Sequence, residues 1–395
     1  RVYRGESQRA AARAMINERQ ARGAQTLARA YALTGDSRYA RRAAEILLGF
    51  AGRYKQWGGG GHAVLYQLRE SYGFLVPLTT AFDYIHDSRV LSDEDRQKIE
   101  TELFRPAAEF YSKWADNNGR LNNRGAIHNH SVMCIGVAIA DKGFVDQALN
   151  SPHSGFHALA AHLFLGDGLC WEGFGYHSYT VSGLSPIAEM AHRIGINVYR
   201  DPAYRRIFEA PLKALLPGEE LMPEQYRIAC QRFAESGEPM AYPFDKESMA
   251  ASSVSHNFDH FGFGVLRSGE GKDRTDLSME YGKEAMFMGH APGVKFSLGL
   301  YANGRLLTPR GAATYGSELC GGWSRRALAH NSITVNDRDQ WGRTAAGPDP
   351  AYSQRKLIAF EAAPRVKVMR ASDDEAYEGI TLDRTLFLAG GYVVD

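Results

Sequence analysis

The chain has 395 residues, of which 44% are hydrophobic and 23% are charged, a composition typical of globular proteins. Its formal net charge is +1, so no global electrostatic field exists to hold nucleic acid or an anionic membrane surface. The longest apolar run, 132–140, is well short of the roughly 20 residues that a membrane-spanning helix needs. The length predicts two domains.

Residues up to about 235 carry apolar side chains at helical spacing, with short turns between the segments. Ser92 and Asp95 have the spacing of a capping box, which starts one of these helices. Repeated helix pairs predict either an open superhelix or a closed α/α toroid. The predicted helices cover 7–33, 37–50, 71–85, 92–114, 131–141, 154–165, 181–194 and 202–215.

The pattern changes to short strands near residue 250. Asn303 and Gly304 form a two-residue hairpin signal, and Gly390 with Gly391 marks another. We therefore predict an α+β protein with an incomplete α/α toroid over 1–240 and an antiparallel β-sandwich over 250–395. The chain starts without Met and stops inside a predicted strand, so we expect further sequence at both ends. The predicted strands cover 261–267, 277–281, 295–301, 305–308, 332–336, 357–361, 365–371, 380–388 and 392 onward.

A polar run at 122–130 lies just before the predicted helix that starts at Ser131. It combines two imidazoles with amide groups and a guanidinium, which is an unusual set in front of a buried helix. The alternative interpretation is a polar loop whose side chains cap that helix. The candidate site residues in this run are Arg124, His128, Asn129 and His130.

A glycine-rich run at 167–179 carries aromatic and ionisable side chains. Trp171, Tyr176 and Tyr179 could form a wall on which sugar rings stack, with Glu172 beside them. The alternative interpretation is a loop between helices whose aromatic residues belong to the core.

The remaining candidates are isolated side chains in loops or at strand starts, where a histidine is more often structural. The sequence contains no phosphate-binding loop, no nucleophile elbow and no HExxH motif. Its four cysteines are too widely spaced for a zinc knuckle or a redox motif. The isolated candidates are Trp57, Arg69, His290, Arg325, Arg326 and His330.

One chemistry uses imidazole, amide or cation, and phenol groups together without a metal motif, namely β-elimination on a uronic acid. The C5 proton is only weakly acidic, so a neutraliser must stabilise the charge that grows on the carboxylate, which suits Asn129, His130 or an arginine. A base of near-neutral pKa takes the proton, which suits histidine or tyrosine. An acid must protonate the leaving glycosidic oxygen, which suits Tyr176.

Five stretches resemble the heparinase II/III-like polysaccharide lyases, which have an α/α toroid followed by an antiparallel β-sandwich. One of them, 329–336, has the sequence AHNSITVN and is similar to the family's AHNTVxVDG. The form of 167–179 is nearest to the exo-type oligoalginate lyases, with heparin or heparan exolyases next. The five stretches are 88–108, 123–131, 167–179, 289–315 and 325–340.

The resemblance implies that His128 is the general base or shares that role, and that Asn129 or His130 neutralises the carboxylate. It implies Tyr176 as the acid, with Tyr179 as the alternative. Whether histidine or tyrosine takes the proton stays open. It also implies His290 as a catalytic residue that reaches into the cleft from the β domain. The implied or suitable substrate contacts are Trp57, Arg69, Arg124, Trp171, Glu172, Tyr179, Arg325 and Arg326.

The resemblance implies no required cofactor. Many relatives have HxHxD where this chain continues from His290 without a carboxylate, which argues against a structural zinc at His290 and His330. The expected partner is an acidic polysaccharide or oligosaccharide, with no nucleic acid and no membrane. We expect a periplasmic or secreted bacterial protein, or a cytoplasmic one if it acts on imported oligosaccharides.

Two rival interpretations belong to other classes. An inverting glycoside hydrolase needs two carboxylates about 6.5–9.5 Å apart, for which Asp83, Asp167 and Glu172 are candidates. A non-catalytic glycan-binding protein would have aromatic platforms without a base and an acid. Replacement of Tyr176 separates the three classes, because only a lyase should lose turnover with little loss of binding.

Overall fold

The computed structural model describes residues 6–57, 69–117, 122–217, 223–240, 253–282, 294–307, 317–324, 326–340 and 357–395. Its internal packing divides the chain into two units. The first unit comprises Arg1–Ala160 and Tyr179–Val198, and the second comprises Ala161–Ser178 and Tyr199–Asp395. The α-helices precede residue 236 and the strands follow residue 255 in the described parts of the chain.

Each predicted helical segment overlaps a helix of the structure, whereas α7 and α11 were not predicted. None of the described helices has both the length and the apolar character that crossing a bilayer requires. The helices are α1 (Glu6–Thr34), α2 (Ser37–Tyr54), α3 (Val76–Ile85), α4 (Asp93–Ile99), α5 (Arg105–Asn117), α6 (Asn123–Ala138), α7 (Lys142–Asn150), α8 (Phe156–His162), α9 (Phe174–Arg193), α10 (Pro202–Ala214) and α11 (Pro223–Glu235).

Short-range signals set the helix starts. The capping box before α4 is confirmed, because Ser92 Oγ accepts the N–H of Asp95 at 3.1 Å and Asp95 Oδ2 accepts the N–H of Ser92 at 3.0 Å. Asp36 caps α2 by accepting the N–H of Arg38 at 2.9 Å. Such caps supply acceptors for backbone N–H groups that the first turn of a helix leaves without a partner.

The third predicted helix, 71–85, corresponds to two elements of the structure. A π-helical segment at Arg69–Leu75 comes first, and α3 follows it directly. This segment turns the successive side chains of Glu70 and Ser71 into the interior, where both are fully buried. Gly73 lies against Glu18 of α1, and a Cβ atom there would be 2.8 Å from the Glu18 carboxyl carbon. The π-helical turn therefore places polar groups inside the first unit.

The strands form two antiparallel sheets within the second unit. A five-stranded sheet has the order β1-β2-β3-β4-β5, and a four-stranded sheet has the order β6-β7-β8-β9. Both hairpin predictions are confirmed, and Asn303 and Gly304 adopt φ values of 52° and 71° between β4 and β5. The strands are β1 (His256–Phe258), β2 (Phe263–Ser268), β3 (Thr275–Glu280), β4 (Ser297–Ala302), β5 (Arg305–Leu307), β6 (Leu357–Ala362), β7 (Val366–Tyr377), β8 (Ile380–Ala389) and β9 (Tyr392–Val394).

The two sheets share one hydrophobic cluster, to which Leu266 and Leu277 contribute from one sheet and Met369 and Leu386 from the other. Gly264 on β2 makes this close approach possible, because a Cβ atom there would lie 2.3 Å from the Met369 sulfur. Burying each leucine side chain contributes roughly 1.5–3 kcal/mol to this core.

One strand prediction is wrong. Residues 332–336 form no ladder with another described segment, and the bridge recorded for them is an isolated one between Val335 and Arg338. Their backbone is instead held by the Gln340 side chain, which donates to the carbonyl of Ile333 at 2.7 Å. A buried side-chain amide thus replaces the strand partner that the alternating pattern predicted.

Candidate functional site

The polar run at 122–130 lies mostly inside a helix, which corrects the prediction that the helix starts at Ser131. Helix α6 begins at Asn123, and Asn122 is its N-cap. Asn122 Oδ1 accepts the N–H groups of Arg124 and Gly125 at 3.0 and 3.2 Å. His128, Asn129 and His130 are therefore buried helical residues rather than loop residues, while Arg124 is exposed on the first turn.

His128 sits among aromatic rings in the first unit and is fully buried. The Tyr111 ring stacks on its imidazole with a centroid distance of 4.7 Å, and Trp114 meets it edge-on at 4.4 Å. Its Nδ1 atom is 2.5 Å from the Oγ atom of Ser71. Its Nε2 atom is buried and makes no hydrogen bond within the described part of the chain. The two ring nitrogens thus have different surroundings.

Burial and, to a smaller extent, the positive charge of Arg124 together lower the pKa of His128 to about 3. The imidazole is therefore neutral at physiological pH. A neutral ring has a lone pair on one nitrogen and can accept a proton, which a base requires. The low pKa also means that the ring is a weak base until a negative charge comes near it.

The other two residues of the cluster are less available. Asn129 Nδ2 donates to the Ala148 carbonyl oxygen at 2.6 Å, so one of its two N–H groups is engaged with α7. Burial lowers the pKa of His130 to about 4. His130 Nδ1 is buried and makes no hydrogen bond among the residues that the structure describes.

Two buried polar residues that the sequence did not single out are Ser71, which contacts His128, and its chain neighbour Glu70. Ser71 contacts the ring directly, and its neighbour Glu70 accepts the Tyr54 hydroxyl at 2.5 Å. Tyr54 and Glu70 are both fully buried. Ser71 and Glu70 stand at the start of a predicted helix, and no local pattern reveals that a π-helical turn points both inward.

The second candidate run lies in and before α9. Trp171 and Glu172 are 5% and 1% exposed, so the Trp171 ring offers little surface for a sugar to stack on. Tyr176 is half-buried and Tyr179 is 40% exposed, and they lie three residues apart on the first turns of α9. The phenols are therefore more accessible than the tryptophan. Tyr176 belongs to the second unit and Tyr179 to the first.

His177 and Asp167 in this run are engaged with the backbone of the second unit. His177 Nδ1 accepts the Cys170 N–H at 3.2 Å, and its Nε2 donates to the Ile207 carbonyl at 3.0 Å. Asp167 Oδ2 accepts the Phe261 N–H at 2.8 Å, while burial raises the pKa of its carboxyl group. Both side chains hold the loop in place, which weakens Asp167 as one of the two carboxylates of a hydrolase.

The isolated candidates of the first unit are partly engaged with other side chains. Trp57 meets Phe50 edge-on at 6.2 Å. Arg69 forms an ion pair with Glu18 at 2.5 Å, although half of its side chain stays exposed. The Trp57 ring and the Arg69 guanidinium are therefore partly accessible to solvent. Neither of these two contacts involves His128.

The isolated candidates of the second unit are engaged locally. Arg326 pairs with Asp339 at 2.9 Å, and His330 Nδ1 donates to the Arg326 carbonyl at 2.9 Å. His290 and Arg325 lie outside the described residues. Within the described ranges, no group of three or more His, Cys, Asp or Glu side chains could hold a metal ion. His330 therefore has no described partners for zinc.

The comparisons with known proteins agree with the resemblance. Residues 3–222 match the family model for alginate lyase, and residues 250–394 match that for the heparinase II/III-like C-terminal region. An alginate lyase of Stenotrophomonas maltophilia is 27% identical, with 90% of this chain and 56% of the relative covered. An exo-oligoalginate lyase of Saccharophagus degradans is 24% identical, with 91% and 57% covered.

Solved structures share the fold. The heparan sulfate lyase HepC of Pedobacter heparinus superposes with a TM-score of 0.66 at 15% identity, over 93% of this chain and 59% of that one. Heparinase III gives a TM-score of 0.65 at 15% identity, over 91% and 59%. The helical region followed by antiparallel sheets is thus a fold found among polysaccharide lyases.

The family model for alginate lyase covers more than half of the residues of this chain. The chain therefore belongs to the alginate lyase family. It spans only 56% and 57% of the length of the two curated relatives.

Proposed function

We propose that the chain carries the catalytic part of a lyase that cleaves uronic-acid glycans by β-elimination. The observation that carries the proposal is His128, a buried neutral imidazole on α6 beside the charge of Arg124, within the region that matches the alginate lyase model. A neutral imidazole with a cation near it suits removal of a proton next to a carboxylate. Neither rival class explains this pair.

In the proposed reaction, His128 takes the C5 proton and the electron pair of that C–H bond forms the C4–C5 double bond. The bond between C4 and the glycosidic oxygen breaks, and Tyr176 gives its proton to the leaving oxygen. Arg124 balances the charge that grows on the uronate carboxylate, because it is the exposed cation at the start of α6. Tyr179 is the alternative acid.

The substrate itself would strengthen the base. A carboxylate near His128 favours the imidazolium and opposes the effect of Arg124, so the pKa of His128 rises from about 3 when an acidic sugar binds. His128 is therefore a stronger base when an anionic sugar is bound than when the site is empty. It also disfavours neutral glycans as substrates.

Oligoalginate is the substrate that we propose, with exo-type cleavage, because one of the two curated relatives is an exo-oligoalginate lyase and the other an alginate lyase. Heparan sulfate is the second candidate, since the fold matches heparan sulfate lyase HepC. We further propose that the helices form part of an α/α toroid over 1–240 and that the two sheets begin a β-sandwich over 250–395. The proposed location is periplasmic or secreted, or cytoplasmic for imported oligosaccharides, and we propose that no cofactor is required.

The test is ultraviolet absorbance during incubation with alginate, heparin, heparan sulfate, chondroitin and hyaluronan, as polymers and as oligomers. β-Elimination creates a double bond conjugated with the carboxylate, whereas hydrolysis does not. We expect absorbance to rise on alginate oligomers and to be abolished by His128→Gln. New reducing ends without absorbance would support the paired-carboxylate hydrolase instead.

A further inference from the structure

The two ring nitrogens of His128 differ in their hydrogen bonds. Tyr111 and Trp114 fix the plane of the ring. Ser71 Oγ contacts Nδ1 at 2.5 Å, and both residues are fully buried. Nε2 is the nitrogen with no hydrogen bond among the described residues. Nε2 is thus the ring nitrogen that no described group engages.

We propose that Ser71 is a positioning residue: its hydroxyl oxygen accepts a hydrogen bond from Nδ1–H of His128 and keeps the lone pair on Nε2. The inference rests on the proposed function, since it gives His128 the role of base. No motif in the sequence and no comparison assigns a role to Ser71.

The choice of tautomer follows from what happens when Nε2 gains a proton. If Nδ1 already carries a hydrogen and donates it to Ser71, the same hydrogen bond persists in the imidazolium, so nothing near the ring must reorient. If Ser71 donated to a bare Nδ1, Nε2 would carry the hydrogen and have no lone pair to accept the C5 proton. A partner at one ring nitrogen fixes the tautomer in this way. Groups arranged in advance for the charged state lower the barrier.

The backbone explains why a serine can reach this ring. The π-helical turn Arg69–Leu75 turns Ser71 inward together with Glu70. The Tyr54 hydroxyl donates to Glu70 at 2.5 Å and so anchors the same turn to α2. Single π-helical turns occur frequently at functional sites, where they redirect side chains.

The test compares Ser71→Ala and Ser71→Thr with a matched control, Ser131→Ala. Ser131 is another fully buried serine, and its hydroxyl donates to the backbone carbonyl of His128 at 2.7 Å rather than to the ring. Each variant is checked by its melting temperature, by kcat and KM on the substrate that gives absorbance, and by nitrogen NMR of labelled histidine side chains. The His128 signal is identified by its loss in His128→Gln.

We expect wild-type His128 to carry its proton on Nδ1, and Ser71→Ala to move it to Nε2. We expect kcat to fall about 100-fold in Ser71→Ala with KM nearly unchanged, and Ser71→Thr to recover most of the rate. Ser131→Ala should leave both the tautomer and kcat as in wild type. An active wild type whose tautomer and kcat do not respond to Ser71→Ala would overturn this inference alone. A wild type that forms no unsaturated product would overturn the proposed function, whatever the NMR spectra show.

Discussion

Asn129 donates a side-chain N–H to the backbone carbonyl of Ala148 at a distance of 2.6 Å. Both residues are buried, and the bond ties the middle of α6 to the end of α7 in the first unit. The family resemblance gives Asn129 a role in neutralising the carboxylate, whereas this bond gives it a structural role. The two roles predict different results for the same substitution.

We predict that Asn129→Ala lowers the free energy of unfolding by about 1–3 kcal/mol, because the Ala148 carbonyl is left buried without its donor. The kcat of the folded fraction should stay close to that of wild type. Urea denaturation and steady-state kinetics measure the two effects. As a control, Asn150→Ala removes an exposed amide that donates to Asp146 and should change stability by less than about 0.5 kcal/mol. A large loss of kcat at unchanged stability would restore Asn129 as the neutraliser.

Replacing Arg124 by glutamine should weaken the binding of acidic sugars. We expect KM to rise about tenfold, which is the effect of losing roughly 1.4 kcal/mol of binding energy. The pKa of His128 should rise, because Arg124 lowers it in the wild type. Kinetics and histidine NMR measure the two changes. Arg42→Gln is the control, since Arg42 is exposed on α2 and pairs with Glu45 at 2.5 Å. Equal KM values for Arg124→Gln and wild type would contradict the role of Arg124.

Stability should fall as pH is lowered from about 6.5. Burial lowers the pKa of His128 to about 3 and those of His130 and His177 to about 4, against a usual value near 6.5. Between these values the unfolded chain binds more protons than the folded chain, so each histidine removes about 1.4 kcal/mol per pH unit. Urea denaturation between pH 7 and pH 5 measures the slope. His130→Gln should make the slope shallower, and a stability that is flat over this range contradicts the assignment of buried neutral rings.

Arg267 should be essential to the second unit. Its guanidinium is 1% exposed, pairs with Asp276 at 3.3 Å and donates to the carbonyls of Lys213, Val254 and Leu215. Arg267→Met removes the donor of these three carbonyls, whereas Asp276 keeps its ion pair with Arg274 at 2.7 Å. The substitution should cost about 2–3 kcal/mol of unfolding free energy.

The control for Arg267 is a surface pair in the same unit. Arg370 and Asp383 lie 2.9 Å apart with about half and a third of their side chains exposed. Arg370→Met should therefore lower the unfolding free energy much less than Arg267→Met does. Denaturation curves measure the unfolding free energy of both variants. Similar decreases in both would show that the buried network around Arg267 is not what stabilises the second unit.

The parts of the fold that sequence predicts are those set by neighbours in the chain. The Ser92 capping box and the Asn303 hairpin follow from residues within three positions of each other. The start of α6 was predicted eight residues too late because His128 and Asn129 are polar and break the apolar pattern. Their partners, Ser71 and Ala148, are 57 and 19 residues away, and only the tertiary fold brings them near.

For the candidate site, the sequence likewise predicts some residues but not their burial or their contacts. Residue types and the family resemblance together selected His128 and Tyr176, which the structure places on α6 and α9. They could not reveal that Trp171 is buried or that His177 is bonded at both ring nitrogens, because burial depends on contacts across the whole unit. Ser71 could not be found either, since its direction is set by a π-helical turn.

The central claim is that this chain cleaves a uronic-acid glycan by elimination through His128. The most direct measurement is mass spectrometry of the products formed from alginate oligomers in water labelled with heavy oxygen, for the wild type and for His128→Gln. Elimination predicts one product end that is a water molecule lighter than the intact sugar, with no heavy oxygen incorporated, and no such product from His128→Gln. Incorporation of heavy oxygen at the cleaved bond, or unchanged elimination by His128→Gln, would contradict the account.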